Sequence, residues 1–196
     1  MNVLLVIANP NPGSFNYALL DTVAEAFRQR QDAVRILDLY QSGFDPVLYG
    51  VDLAALQQGV VPEEVRTQQS VIEWADVLVF IYPLWWFDRP AILKGWCDRV
   101  LTQGFAFRYG PEGVEGCLSS KRAVVLVTAG GSEAEFAAME MDDAAVLTPM
   151  LRGTLGFCGV EVMHSRLFHA VATASNEVRS GYLDETRQMI LRLPLD

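Results

Sequence analysis

Val77-Leu78-Val79-Phe80-Ile81-Tyr82-Pro83-Leu84-Trp85-Trp86-Phe87 carries the clearest fold signal in the chain. Its first six residues are apolar without alternation, the pattern of a short strand buried on both faces of a parallel sheet. Pro83 cannot donate to a ladder and ends the strand. Trp85, Trp86 and Phe87 then stand in a row where loop residues are usually polar. They could cap the core or wall a flat aromatic ligand. Capping explains one of them comfortably and all three poorly.

Similar strand segments occur at 3–8, 33–39, 123–128 and 160–164. Helical periodicity fills the intervals: 17–30 behind Ser14 as N-cap, 62–74 with Pro62 at its start, 90–101, 144–157 and 175–191. Residues 44–61 read as a less regular excursion. Strands alternating with helices predict a five-stranded parallel sheet covered on both faces, in one domain spanning 1–196. Ligands of such sheets bind beyond the C-terminal strand ends, where the strand order reverses. The candidate site therefore lies in three loops: 9–14, 83–88 and 129–132.

The first loop, Asn9-Pro10-Asn11-Pro12-Gly13-Ser14-Phe15-Asn16, lacks a Walker lysine and a G-x-G-x-x-G pattern. It reads equally well as an ordinary turn with an N-cap or as a phosphate cradle at a helix start. The third loop, Thr128-Ala129-Gly130-Gly131-Ser132, has paired glycines that permit close backbone approach to a ligand. A tight strand-to-helix turn would need the same residues.

The net charge is 15 − 24 = −9, which argues against nucleic acid or anionic lipid as a partner. The N-terminal apolar run stops at Asn9-Pro10, and no apolar stretch approaches a membrane span. A cytoplasmic protein without membrane insertion is expected. Cys97, Cys117 and Cys158 are odd in number and far apart, as expected for reduced thiols and no metal site. His164 and His169 read as ordinary histidines near a strand end.

Four segments together resemble the NAD(P)H:quinone reductase family: Ser14-Phe15-Asn16-Tyr17-Ala18; Pro83 to Phe87 followed by Pro90-Ala91-Ile92-Leu93-Lys94-Gly95-Trp96; Thr128 to Ser132; and Phe157-Cys158-Gly159. That resemblance runs in order over nearly the whole chain. It implies a flavodoxin-like doubly wound sheet of order 2-1-3-4-5. It also implies a bound flavin, NAD(P)H as electron donor, and ping-pong two-electron reduction of quinones or similar flat acceptors. Ser14, Phe15, Asn16 and Ala18 match the segment holding the flavin's phosphate-bearing tail, with Gln69 and Asn9 at positions near the cofactor. Pro83, Leu84, Trp85, Trp86 and Phe87 match the loop against the isoalloxazine. Thr128, Ala129, Gly130 and Gly131 match the loop at its pyrimidine end. Arg179 matches an arginine against adenosine, which favours FAD over FMN.

Family members are homodimers with sites at the interface. Phe107 and Tyr109 match aromatics reaching into the partner's site, and with Trp86 they are expected to shape the acceptor pocket. Phe136 and Asp142 stand where well-studied members carry a tyrosine and a histidine that relay charge during hydride transfer. Phe136 has no hydroxyl, so that relay does not carry over. The family also includes ancillary subunits of potassium-efflux systems, so a regulatory flavoprotein bound to a transporter is the alternative. Arg89, Arg108 and Arg152 are candidates for donor phosphates on charge alone.

Overall fold

Strand side chains that alternate between two apolar faces need a helical layer on each side. The computed structural model, which describes residues 1–194, has that arrangement. Strands β1 (Asn2–Ile7), β2 (Ala33–Asp38), β3 (Val77–Pro83), β6 (Arg122–Thr128) and β7 (Glu161–Phe168) form one parallel sheet of order β2-β1-β3-β6-β7. This is the expected 2-1-3-4-5 order, because β4 (Phe107–Gly110) and β5 (Gly113–Gly116) form a separate antiparallel hairpin.

On one face, Val3, Leu5, Ile7, Val77, Val79, Ile81, Val124 and Leu126 pack on α1 (Phe15–Gln29) and α7 (Asn176–Leu191). The other face turns Leu4, Val6, Ala8, Leu78, Phe80 and Val125 toward α3 (Glu63–Trp74), α4 (Ala91–Val100) and α6 (Asp143–Met150). Fully buried Trp96 of α4 anchors that layer, edge-on to Phe80 at 6.1 Å.

The strand registers bring the C-terminal ends to one edge. Ile7 pairs with Asp38 and Ile81, and Pro83 pairs with Thr128, which pairs with Phe168. The chain runs from β1 out to β2 and then returns to β3, so the reversal lies between β1 and β3. There the first and second loops emerge side by side.

Four segments differ from the sequence expectation. The excursion over 44–61 contains α2 (Gly50–Gln57), held to α4 by the buried Arg99, which bonds the Asp45 carbonyl at 2.5 Å and lies 3.5 Å from Asp52. A short helix, α5 (Glu133–Ala138), follows the glycine loop behind a Ser132–Glu135 capping box. The helix expected over 144–157 breaks in two. Pro149 has no N–H to return to the Ala145 carbonyl, and residues 151–156 continue as a wider turn with bonds such as Phe157 N to Arg152 O. Finally, β7 runs on to Phe168 rather than ending at His164. It is the edge strand, and exposed polar residues such as Arg166 interrupt its apolar pattern.

Gly95 sits where α4 crosses the Phe44–Pro46 segment. A Cβ there would lie 2.1 Å from the Pro46 carbonyl oxygen. Gly95→Ala is expected to destabilise the protein by about 1–3 kcal/mol through overpacking, read as a lower midpoint in chemical denaturation. An unchanged midpoint would mean that this crossing is loose.

Candidate active site

Two adjoining clefts open at the C-terminal strand edge. The larger, about 720 Å³, is lined by Asn9, Ser14, Phe15, Asn16, Ala18, Pro83, Trp85, Thr128 and Arg179 among others. The second, about 670 Å³, lies between the Trp86–Phe87 turn and α5 with Phe136. Both are of a size that takes a cofactor or small ligand. Leu84, Ala129 and Gly130 line both, so the two form one trough.

A buried amide network locks the three loops together. Asn16, on the first turn of α1, accepts at Oδ1 from Asn9 Nδ2 at 2.8 Å and from Thr128 Oγ1 at 3.2 Å. Asn9 Oδ1 in turn accepts from the Asn11 amide at 2.9 Å. Leu84 N donates to the Thr128 carbonyl at 2.7 Å, which joins the second loop to the third. With its oxygen used twice, Asn16 is left with a buried amide nitrogen that has no partner. Ser14 Oγ, beside it at the helix start, is also buried and unpartnered, and it does not cap α1. Buried polar groups are rarely left unpaired. Two such orphans at a helix N-terminus, where the backbone favours negative charge, fit the phosphate-bearing tail of a nucleotide cofactor.

The aromatic loop is a two-residue reversal. Trp85 and Asp88 exchange backbone bonds of 2.9 and 3.0 Å, and Trp86 and Phe87 between them have φ of 53° and 59°. Turns of this kind favour Asn and Gly. A bulky residue in the left-handed region costs about 1–2 kcal/mol. Trp86 is 97% exposed and so recovers none of that by capping the core. Phe87 meets Phe136 edge-on at 5.5 Å. Phe136 is in turn fixed by Gly131, where a Cβ would lie 3.0 Å from its ring.

Several residues expected at the site stand elsewhere. Gln69 is buried between α3 and α4, its amide donating to the Val100 carbonyl and Thr102 Oγ1 at 3.0 Å each. It serves the end of α4, away from the trough. Asp142 is exposed and caps α6, accepting from the Ala145 amide at 2.6 Å. Its carboxylate is thereby committed to a helix start. Phe107 and Tyr109 lie on the β4–β5 hairpin and do not line their own chain's trough. Phe107 packs on Phe157 at 5.2 Å, while Tyr109 is largely exposed.

The Arg89 side chain is largely buried and bonds Thr154 Oγ1 at 2.8 Å, and Arg108 pairs with Glu115 at 2.7 Å. Arg152 lines a separate cavity along β7. All three cysteines are free. Burial pushes the Cys97 thiol up to about 12 and the Cys158 thiol up to about 11, which leaves both unreactive at neutral pH. Among the described residues no group of His, Cys, Asp and Glu could hold a metal, and no helix is long and apolar enough to cross a membrane.

Sequence reading missed His169. The extension of β7 carries it behind Phe136, on the side of the separate cavity along β7, where it is buried, lies 2.8 Å from Asp143 and meets Phe136 edge-on at 4.9 Å. A longer β7 was the missing signal, and the polar edge strand hid it.

A family profile described as "flavodoxin-like fold" matches residues 1–190. NAD(P)H dehydrogenase [quinone] 1 of Cavia porcellus is 33% identical over 92% of this chain and 72% of its own length. The chain belongs to the flavodoxin-like NAD(P)H:quinone reductase family. Among solved structures, the NAD(P)H:quinone oxidoreductase from Methanothermobacter marburgensis superposes with a TM-score of 0.87 at 30% identity, covering 100% of this chain and 98% of the other. The general stress protein 14 of Treponema denticola, solved in complex with FMN, is 25% identical with a TM-score of 0.66, over 97% of this chain and 96% of the other.

The turn's strain gives a test of its role. Trp86→Asn places at that position a residue that tolerates positive φ. It is expected to leave stability of the ligand-free protein unchanged or to raise it by up to about 1 kcal/mol, by denaturant titration. A loss of about 3–5 kcal/mol would show that Trp86 caps the core after all.

Proposed function

We propose that the chain is a flavin-dependent NAD(P)H oxidoreductase that passes two electrons to quinones or similar flat acceptors. The observation that carries this reading is the pair of orphaned donors, Ser14 Oγ and Asn16 Nδ2, at one end of a trough whose other end is aromatic. The names of the family relatives support it. A flavin bound in the trough supplies hydride exchange, and the chain's own residues supply binding, orientation and exclusion of water.

Ser14, Phe15, Asn16 and Ala18 hold the phosphate-bearing tail in this reading, and Arg179 at the far end favours FAD over FMN. Arg179 is oriented by bonds to Asn176 Oδ1 at 2.7 Å and to the Val171 carbonyl at 3.3 Å. Pro83, Leu84, Trp85 and the backbone of Ala129, Gly130 and Gly131 face the ring. Trp86, Phe87 and Phe136 bound a slot that nicotinamide and acceptor occupy in turn, which gives ping-pong kinetics. With Asp142 committed to α6 and Phe136 lacking a hydroxyl, the proton delivered to a reduced quinone comes from water.

The functional unit proposed is a homodimer. Phe107, Tyr109 and Phe157 form an aromatic cluster on the hairpin side, with Tyr109 68% exposed and Phe157 45% exposed. A second copy covering that cluster would bring Phe107 and Tyr109 to its partner's slot. The exposed Trp86 would be covered in the same way.

Steady-state assays of flavin-loaded protein with NADH or NADPH and menadione test the reading. Turnover with parallel double-reciprocal lines is expected, and no turnover with any donor–acceptor pair would reject it. Trp86→Ala should weaken flavin retention or alter flavin fluorescence while changing stability by no more than about 0.5 kcal/mol.

A further inference from the structure

Helix α5 has six residues, Glu133–Ala138, and Phe136 is its one buried side chain. A helix of that length does not hold itself in place. Its start is fixed by the Ser132–Glu135 capping box, with Ser132 N donating to Glu135 Oε2 at 2.7 Å. Beyond its C-terminal end, Met139 to Asp142 lead into α6, so the lie of Phe136 depends on how the beginning of α6 is tied down.

His169 supplies that tie. Its Nε2–H donates to Asp143 Oδ1 at 2.8 Å, and Asp143 is the first residue of α6. The imidazole ring stands perpendicular to Phe136, with centroids 4.9 Å apart. The peptide group that follows this histidine is itself pinned at both its carbonyl and its amide. Tyr182 Oη donates to the His169 carbonyl at 3.3 Å, and the Ala170 amide donates to the Gly131 carbonyl at 2.8 Å. The other ring nitrogen, Nδ1, is buried without a partner. A buried polar atom left unpaired is unfavourable, and an apolar side chain of similar volume would fill the space without that penalty. The imidazole is therefore explained by the bond to Asp143 and not by packing alone.

We propose that His169, oriented by Asp143, is a positioning residue for the acceptor slot. It sets the distance between Phe136 and the Trp86–Phe87 turn, and through it the thickness and width of flat acceptor admitted. His169 does not line the slot; it acts through the Phe136 ring. This inference rests on the reading of the trough as a flavin and acceptor site.

The test compares wild type, His169→Gln, His169→Leu and Asp143→Ala as flavin-loaded proteins, with NADH as donor and menadione as acceptor. A second set carries 4-fluorophenylalanine site-specifically at position 136 for fluorine NMR. His169→Leu and Asp143→Ala are expected to raise the KM for menadione about 5- to 10-fold with kcat within about 2-fold. His169→Gln, which keeps a donor for Asp143, should restore it to near the wild-type value. In parallel, the fluorine resonance should shift or broaden in the Leu and Ala variants and not in the Gln variant.

Asp143→Ala removes a half-exposed side chain, so it keeps the comparison alive if His169→Leu fails to fold. An unmoved resonance in Asp143→Ala overturns the proposal, and so does a moved resonance with an unchanged KM in a wild type that turns over. Absence of turnover in wild type rejects the reductase reading instead. The fluorine spectrum then decides alone whether His169 and Asp143 hold Phe136.

Discussion

The buried carboxamide of Asn16 is the constraint on which the rest of the site depends. Three loops leave three different strands, and each alone would be an ordinary turn. Asn16 Oδ1 takes hydrogen bonds from Asn9 on the first loop and from Thr128 at the end of β6, and the Thr128 carbonyl takes the Leu84 amide of the second loop. Those bonds turn a sheet edge into one trough. Saturating the oxygen also dictates which atom of the carboxamide is free. The nitrogen is left as a buried donor beside Ser14 Oγ, at the positive end of α1. Two free donors at a helix start favour an anionic group there.

The opposite end of the trough is organised by strain. A Trp86–Phe87 turn with positive φ at both central residues opposes the preference of large side chains. Exposed at 97%, Trp86 gains nothing from its own fold. Left-handed non-glycine residues that persist in this way cluster at ligand sites. Here Phe87 meets Phe136 edge-on, and Trp86 lines the same cleft as the glycine loop. The Asn16 end of the trough is thus held by hydrogen bonds and the Phe136 end by aromatic packing, with Leu84, Ala129 and Gly130 common to both.

Much of this was legible in the sequence because it is carried by local pattern. Continuous apolar runs at 3–8, 77–82 and 123–128 have no reading other than buried parallel strands once helices alternate with them. The loops that follow those strands then fall at one edge by topology. What stayed hidden depends on side chains meeting across the chain. Gln69 matches a cofactor position in the family, yet its amide is taken by Val100 and Thr102. Asp142 falls where the family resemblance implies a relay residue, but it serves α6 as its N-cap. The half-exposed edge strand β7 breaks the apolar pattern, so its last residues and the placement of His169 behind Phe136 could not be read from periodicity. The four-residue strands of the hairpin and the six-residue α5 are too short to leave a periodic signal.

In the proposed reading the orphaned Asn16 nitrogen and its neighbours hold the tail of a flavin. Titration of the ligand-free protein with FAD and with FMN, for wild type and Asn16→Asp, decides whether they do. The substitution keeps an oxygen for Asn9 and Thr128 but replaces the free donor with a second acceptor that repels a phosphate. Wild type is predicted to take up one flavin per chain, FAD more tightly than FMN, and Asn16→Asp to lose that binding while keeping its fold by circular dichroism. Flavin uptake by Asn16→Asp with wild-type affinity would contradict the account.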